Sequence, residues 1–339
     1  MLFRVVRVVE SFFVSYVELM STNPRSRMRI EAQETSARPS PIVVGLGELI
    51  WDFLPGGKQL GGAPTNFAYI SRLLGNDSVV VASRVGDDEL GLEAKARLMR
   101  LGISTEYLQS DSQHPTGTVR VRLDELGEAT FAVNENSAWD YLEWTSEWKE
   151  LAQKANVVCF GTLGQRAASA RGTIIQFLEL TRPRALRVFD VNLRHSFFNA
   201  EMLKRSLELA TVVKLNQAEL SALGDMLGLQ TKTEEETARL LLDKFNLELI
   251  AITRGQQGSL LVTGEETSDH PGIRVGVKDT IGAGDAFIAA LAHYYLRRAP
   301  LPLISEAANR MGAWVATQDG ATPFASSQIL EQLLSDIIE

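Results

Sequence analysis

The sequence predicts an α/β protein: a mostly parallel β-sheet covered by helices on both faces. Three observations carry that expectation. From Ile42 to Leu296, short apolar runs alternate with helical stretches of about a dozen residues, the rhythm of strands joined by crossover helices. A single segment breaks that rhythm by alternating apolar and polar residues. The composition, 45% hydrophobic and 22% charged over 339 residues, is that of an ordinary globular chain, long enough for one large domain or two smaller ones.

Residues 1–40 are expected to lie outside the fold as a flexible extension. Met1–Met20 is apolar but interrupted by Arg4, Arg7, Glu10 and Glu18, and its longest uncharged stretch, Ser11–Val17, is too short to span a membrane. No small-residue cleavage site follows, which argues against a secretory signal. Ser21–Pro41 is polar, with Pro, Ser and Arg, and Met20 or Met28 is an alternative start. The domain proper is expected over 41–339. Ile42–Gly47 opens it as a short buried strand. Thr65–Leu74 is predicted as a helix ending at Gly75, a residue suited to the left-handed C′ position. Val79–Ser83 is a strand and Glu89–Leu101 a helix closed by Gly102.

The exceptional segment is Thr118–Val133. Val119, Val121 and Leu123 alternate with Arg120, Arg122 and Asp124; Ala129, Phe131 and Val133 follow a turn at 125–128. It reads as an antiparallel hairpin with one apolar face. As an accessory element it is a lid, drawn from residues 51–62 and 116–137, and a surface for a homodimer. An edge extension of the main sheet is the plainer alternative. Beyond it, Val157–Gly161 is a strand and Ala168–Leu180 a helix. Arg187–Val191, Thr211–Leu215, Leu249–Thr253 and Ser259–Val262 are strands, with helices over 201–209, 217–227, 232–245 and 284–298.

A net charge of −8 leaves no electrostatic footprint for nucleic acid. Cys159 is the one cysteine, so neither an intrachain disulfide nor a cysteine-based metal cluster can form, and cytoplasmic residence fits. The four histidines, at 114, 195, 270 and 293, show no ligand spacing.

Residues 279–287, Asp-Thr-Ile-Gly-Ala-Gly-Asp-Ala-Phe, say most about function. Gly282, Ala283 and Gly284 can expose successive backbone N–H groups at a helix N-terminus. That is an anion site, because the first helical amides lack partners and the macrodipole is positive there. Asp285 in the same place competes with a bound anion unless it has a task of its own. The natural task is taking a proton from a hydroxyl that attacks a phosphoryl group; an N-capping Asp is the plainer alternative. Gly56–Asn66 is the second cluster. Gly61 and Gly62 let a ligand approach the backbone, Asn66 offers donor and acceptor, and Asp52 suits a sugar hydroxyl. No Gly-Lys-Ser/Thr follows, so this is not a P-loop. Gly45-Leu46-Gly47 is not a dinucleotide fingerprint, because Ile50 holds the third glycine position.

Three further segments leave strand C-termini, where open parallel sheets bind ligands. Asn192 and Arg194 follow one strand, with Arg194 suited to an anionic or polyhydroxylated ligand; a solvated Asx-turn is the alternative. Asn216 and Glu219, three apart, suit either a metal–water shell or a capping box. Thr253, Gly255 and Gly258 form a tight turn that either approaches a nucleotide or merely closes a hairpin.

Together these segments resemble the ribokinase-like (PfkB-type) carbohydrate kinase family, closest to fructokinases, over residues 41–339. Gly61–Asn66 is similar to that family's N-terminal signature and Asp279–Asp285 to its C-terminal one. The resemblance implies a ribokinase-like three-layer α/β/α sandwich with a mostly parallel central sheet and a small β-sheet lid over the sugar. It also implies ATP-dependent transfer of the γ-phosphoryl group to a sugar hydroxyl, with sugar and ATP as partners and neither nucleic acid nor membrane. On this resemblance Asp285 is the catalytic base, and Gly282, Ala283 and Gly284 are the anion hole. Asp52, Gly61, Gly62 and Asn66 meet the sugar, as do Asn192 and Arg194. Asn216 and Glu219 are associated with phosphate and Mg2+, Glu219 through water. Thr253, Gly255 and Gly258 form the nucleotide loop, and Asn309 borders the adenine. Many members bind a monovalent cation such as K+; Asp279 and the carbonyls of Ile281 and Gly320 are the matching ligands. Asp-x-Asn-Leu-Arg at 190–194 and Gly-Glu-Leu-Ile-Trp-Asp at 47–52 fit fructokinases, and 2-keto-3-deoxygluconate kinases share something close to the first. Lys278 departs from the pattern, an apolar residue being common there. The rival acceptors are 2-keto-3-deoxygluconate, ribose or a nucleoside; the rival of another class is a catalytically silent sugar-binding regulator.

Overall fold

The computed structural model describes residues 40–54, 56–123, 129–194, 196–229 and 231–335. Apart from Ser40, the predicted N-terminal extension lies outside them, as does the turn predicted at 125–128. Ser40–Glu339 forms one compact unit. In chain order its elements begin β1 (Ile42–Leu46), β2 (Ile50–Leu54), β3 (Gly57–Gly61), α1 (Ala63–Leu73), β4 (Ser78–Gly86), α2 (Glu89–Arg100), β5 (Leu108–Asp111), β6 (Gly117–Leu123) and β7 (Ala129–Val133). They continue α3 (Ser146–Lys154), β8 (Val157–Gly161), α4 (Ala168–Glu179), β9 (Leu186–Asp190), α5 (Ala200–Leu209), β10 (Val212–Asn216), α6 (Gln217–Leu227), α7 (Glu234–Phe245) and β11 (Leu249–Thr253). The last are β12 (Ser259–Val262), β13 (Thr267–His270), α8 (Ala283–Leu296), α9 (Leu301–Ala316) and α10 (Ser327–Leu334).

The main sheet has nine strands in the order β13-β12-β11-β10-β9-β8-β1-β4-β5. It is parallel from β11 to β5, and β12 and β13 add antiparallel to one edge. Successive strand residues point to opposite faces, and both faces are apolar, so each buries its own set. Val43, Val79, Val81, Val157 and Val188 pack against α1, α8 and α9. Val44, Leu46, Val80, Phe160 and Phe189 pack against α4, α5 and α7. The result is the three-layer α/β/α sandwich expected. Burying each such side chain is worth about 1.5–3 kcal/mol. A charged residue in these strands therefore needs a specific partner.

The alternating hairpin is real, but it does not extend the main sheet. β6 pairs with β2, and the four strands β3-β2-β6-β7 form a second, smaller sheet. Residues 57–61, expected as part of a glycine-rich cluster, are its edge strand. The helix expected from Thr65 begins at Ala63, because Pro64 fits the first turn and costs no hydrogen bond there. α6 matches the expected 217–227; Asn216 caps one end and Gly228, at φ 65°, closes the other. Outside the second sheet, five elements were not expected: β5, β13, α3, α9 and α10. β5 and β13 are short and polar, whereas α9 carries a regular apolar stripe but has no side-chain cap at its start.

Candidate active site

Because β1, β8, β9, β10 and β11 run parallel, their C-terminal ends meet at one edge of the sheet. The residues at or just past those ends, including Glu48, Asn192 and Asn216, converge there with the N-termini of α1 and α8. Gly282 is the N-cap of α8. Its φ of 79° is left-handed, and a Cβ would lie 2.7 Å from the Ala321 Cα, so only glycine fits. Asp285 is thus the third residue of the helix and not its cap, which removes the plainer reading of that carboxylate. Asn66 Nδ2, from α1, donates to Asp285 Oδ2 at 2.8 Å. The Asn66 Oδ1 is buried and unpartnered among the described residues.

Asp285 keeps one face open but is otherwise set deep in the protein. Burial, with Asp190 adding repulsion, raises its pKa to about 6, against the opposing pull of Asn66, Lys214 and Arg194. Lys214 Nζ donates to Asp190 Oδ1 at 3.1 Å, and both side chains are buried. Burial disfavours the Lys214 charge, but Asp190 and Glu219 outweigh it and raise the pKa. A Cβ on Gly284 would sit 3.1 Å from that ammonium, so Lys214 lies directly beside the α8 amides. Asp52 faces Gly61, whose missing side chain makes room for its carboxyl, and burial raises Asp52 to about 6. Gly62 caps α1 at φ 101°.

Asn216 and Glu219 form a complete capping box. Glu219 Oε2 accepts from Asn216 N at 2.8 Å and Asn216 Oδ1 from Glu219 N at 2.9 Å. Glu219 Oε1 accepts from Leu193 N at 3.0 Å, which ties the 190–194 loop to α6. Asn192 sits in that loop at φ 33° and its carbonyl accepts from Thr162 Oγ1; Arg194 is exposed.

A cavity of about 290 Å³ opens on the other side of α8. Thr253, Gly255, Gly258, Asn309, Ala283 and Gly284 line it, so the predicted nucleotide loop and anion hole share one space. Val275, Val277, Phe287 and Ala313 make its walls apolar. The Asn309 side chain is held by Ser259 and the Ser305 carbonyl. Asp279, Ile281 and Gly320 also converge: Asp279 Oδ1 accepts from Ile281 N at 2.9 Å and Oδ2 from Gly320 N at 3.2 Å. Among the described residues, no group of three or more His, Cys, Asp or Glu is arranged to hold a metal.

Two residues escaped the sequence reading. Lys214 is a charge inside an otherwise apolar strand, and Glu48 is an acid directly after one. Either could have been found by asking which charges interrupt runs buried on both faces.

Known proteins give the chain its family. The model of the pfkB family carbohydrate kinases matches residues 53–328. Fructokinase-1 of Oryza sativa subsp. japonica is 28% identical, covering 86% of this chain and 96% of that protein. The fructokinase of Salmonella typhimurium is 32% identical over 73% of this chain and 81% of its own length. A fructokinase of Vibrio cholerae O395, whose structure holds fructose, ADP and a calcium ion, superposes with a TM-score of 0.71 at 26% identity, covering 84% of this chain and 95% of that one. With the family model spanning most of the chain on a matching fold, the chain belongs to the pfkB family of carbohydrate kinases.

Proposed function

We propose that this chain is an ATP-dependent fructokinase, with Asp285 as its general base. The observation that carries the reading is the position of Asp285 between two spaces. On one side it meets Asn66 of α1; on the other, Ala283 and Gly284 of its own helical turn line the cavity together with Thr253 and Gly258. The acceptor sugar occupies the first space and ATP the second. The second sheet acts as a lid, and its edge strands β3 and β7 are the surface for a homodimer. Cytoplasmic residence goes with this reading.

In the reaction the sugar hydroxyl forms a bond to the γ-phosphorus and the bond to the ADP oxygen breaks. Asp285 takes the hydroxyl proton. Asn66 fixes Oδ2, so Oδ1 is left for the hydroxyl. The amides of Ala283 and Gly284, with Lys214 beside them, offset the charge on the transferring phosphoryl group. Glu219 holds Asn216 and Leu193 in place, and its second lone pairs suit a metal-bound water. Glu219, its carboxylate beside Asn216 and Leu193, would hold the waters of an Mg2+ bound with ATP. That ion supplies neutralisation of phosphate charge. Asp279, Ile281 and Gly320 are the proposed K+ ligands.

The test is a panel of D-fructose, D-ribose, 2-keto-3-deoxygluconate and a nucleoside with ATP, read by ADP release. Fructose is expected to give the highest kcat/KM. Asp285→Asn is expected to fold and bind sugar yet lose roughly 10²–10⁴-fold in turnover. Preference for another acceptor overturns the fructose assignment, and near-full activity of Asp285→Asn overturns the base.

A further inference from the structure

The chain leaves β1 and β8 in opposite directions. From β1 it passes through the second sheet and α1 to β4 on one side; from β8 it passes through α4 to β9 on the other. In open parallel sheets the ligand crevice opens beyond the strand ends at that reversal. Glu48 stands two residues past the end of β1, and Gly164 three past the end of β8. The two face each other there: a Cβ on Gly164 would stand 3.1 Å from Glu48 Oε2 and 2.9 Å from the Gly47 Cα.

Glu48 is only 3% exposed, and its Oε2 has no hydrogen-bond partner among the described residues. Leaving a buried carboxyl oxygen unpaired is costly, so such a group normally has a missing partner. Burial raises Glu48 to about 7, with Asp285 and Asp190 adding repulsion, and its backbone carbonyl lies beside Gly62, the N-cap of α1, where a Cβ would stand 2.6 Å from it. The Ala63 amide at the start of α1 also draws on the carboxyl. Glu48 therefore stands at the start of the helix that carries Asn66, whose amide meets Asp285.

We infer that Glu48 is a positioning residue for the acceptor: its free Oε2, in the crevice between β1 and β8, hydrogen-bonds a sugar hydroxyl other than the one attacked and so turns the reacting hydroxyl toward Asp285. The inference rests on the kinase reading and adds a residue to the acceptor side. Its partner is a neutral polyhydroxylated ligand, because the pocket already holds Asp285 and Asp190.

The test compares Glu48→Ala and Glu48→Gln with the wild-type chain, using the best sugar of the panel. Glu48→Ala is expected to raise the sugar KM at least about tenfold, the loss from one buried polar contact, while the ATP KM stays within about twofold. Glu48→Gln keeps the shape and a hydrogen-bonding atom, and is expected to recover most of the loss. Thermal shifts supply a second readout: fructose should stabilise the wild type but not Glu48→Ala, and ADP should stabilise both. An unchanged sugar KM in Glu48→Ala overturns the inference alone. A parallel rise in the ATP KM, or equal loss of both thermal shifts, assigns Glu48 to holding α1 and overturns it too. Sugar-induced shifts without turnover in the wild type, abolished by Glu48→Ala, support Glu48 and defeat the kinase reading. If no sugar of the panel shifts or reacts with the wild type, both fall.

Discussion

Asp285 occupies the first turn of α8, where amide hydrogens favour anions, yet it carries a charge of its own. Burial and Asp190 resolve the conflict by making that charge costly, which leaves a stronger base than an exposed aspartate. With a pKa of about 6 the group is ionised at neutral pH and protonated below it. The expected pH profile of kcat/KM is therefore flat near neutrality and falls about tenfold per pH unit once below about pH 6. A profile that stays flat to pH near 4.5, close to the ordinary carboxylate range, would show that Asp285 is not the base. The signature around Asp285 was plain in the sequence because glycines next to an acid at a helix start are chemically odd. Lys214 and Glu48 were not, because their meaning depends on which face of the sheet they join. Lys214 shares its face with Val212, toward α8, and only the folded strand shows that the ammonium ends beside Gly284.

Helix ends set the geometry of this site, and two glycines test that. At Gly282 the backbone is left-handed and a Cβ would strike Ala321. Gly282→Ala is expected to destabilise the protein by about 1–3 kcal/mol and to depress turnover by moving the α8 amides. At Gly172, inside α4, a Cβ would meet nothing within 4 Å, so Gly172→Ala is expected to stabilise by about 0.5–1 kcal/mol. Thermal melts of the two variants should move in opposite directions; movement in the same direction would refute the argument. Elements were legible where local chemistry punctuates them, as Asn216 and Gly228 do for α6. α9 was missed for a different reason. Its apolar stripe, Leu301, Ile304, Ala308, Met311 and Val315, is regular, but no side-chain cap marks where it starts. The site inherits this, since Asn309 and Gly312 of α9 line the cavity.

Across the whole molecule, the cost of holding buried acids makes stability depend on pH. Glu48, Asp52 and Asp285 have pKa values raised to about 7, 6 and 6, so the folded chain holds their protons more tightly than the unfolded one. Their contribution is fully present below the unfolded values and is lost as pH rises through about 6 to 7. His293, lowered by burial to about 4, opposes them by losing stability as pH falls through that value. Three groups outweigh one, so the melting temperature of the ligand-free protein is expected to fall between about pH 5 and pH 8. A rise over that interval would contradict the assignment of these carboxyls. The layered architecture was legible because both sheet faces are apolar; the second sheet was half legible, since β2 and β3 lack the alternation that marks β6. Asn66 and Asp285 meet although 219 positions separate them along the chain. A chain emerging from the ribosome therefore carries its proposed acceptor side long before the helix that holds the proposed base. On the proposed reading such a nascent chain has nowhere to commit ATP until α8 has docked, so the onset of catalysis would also report the completion of the fold.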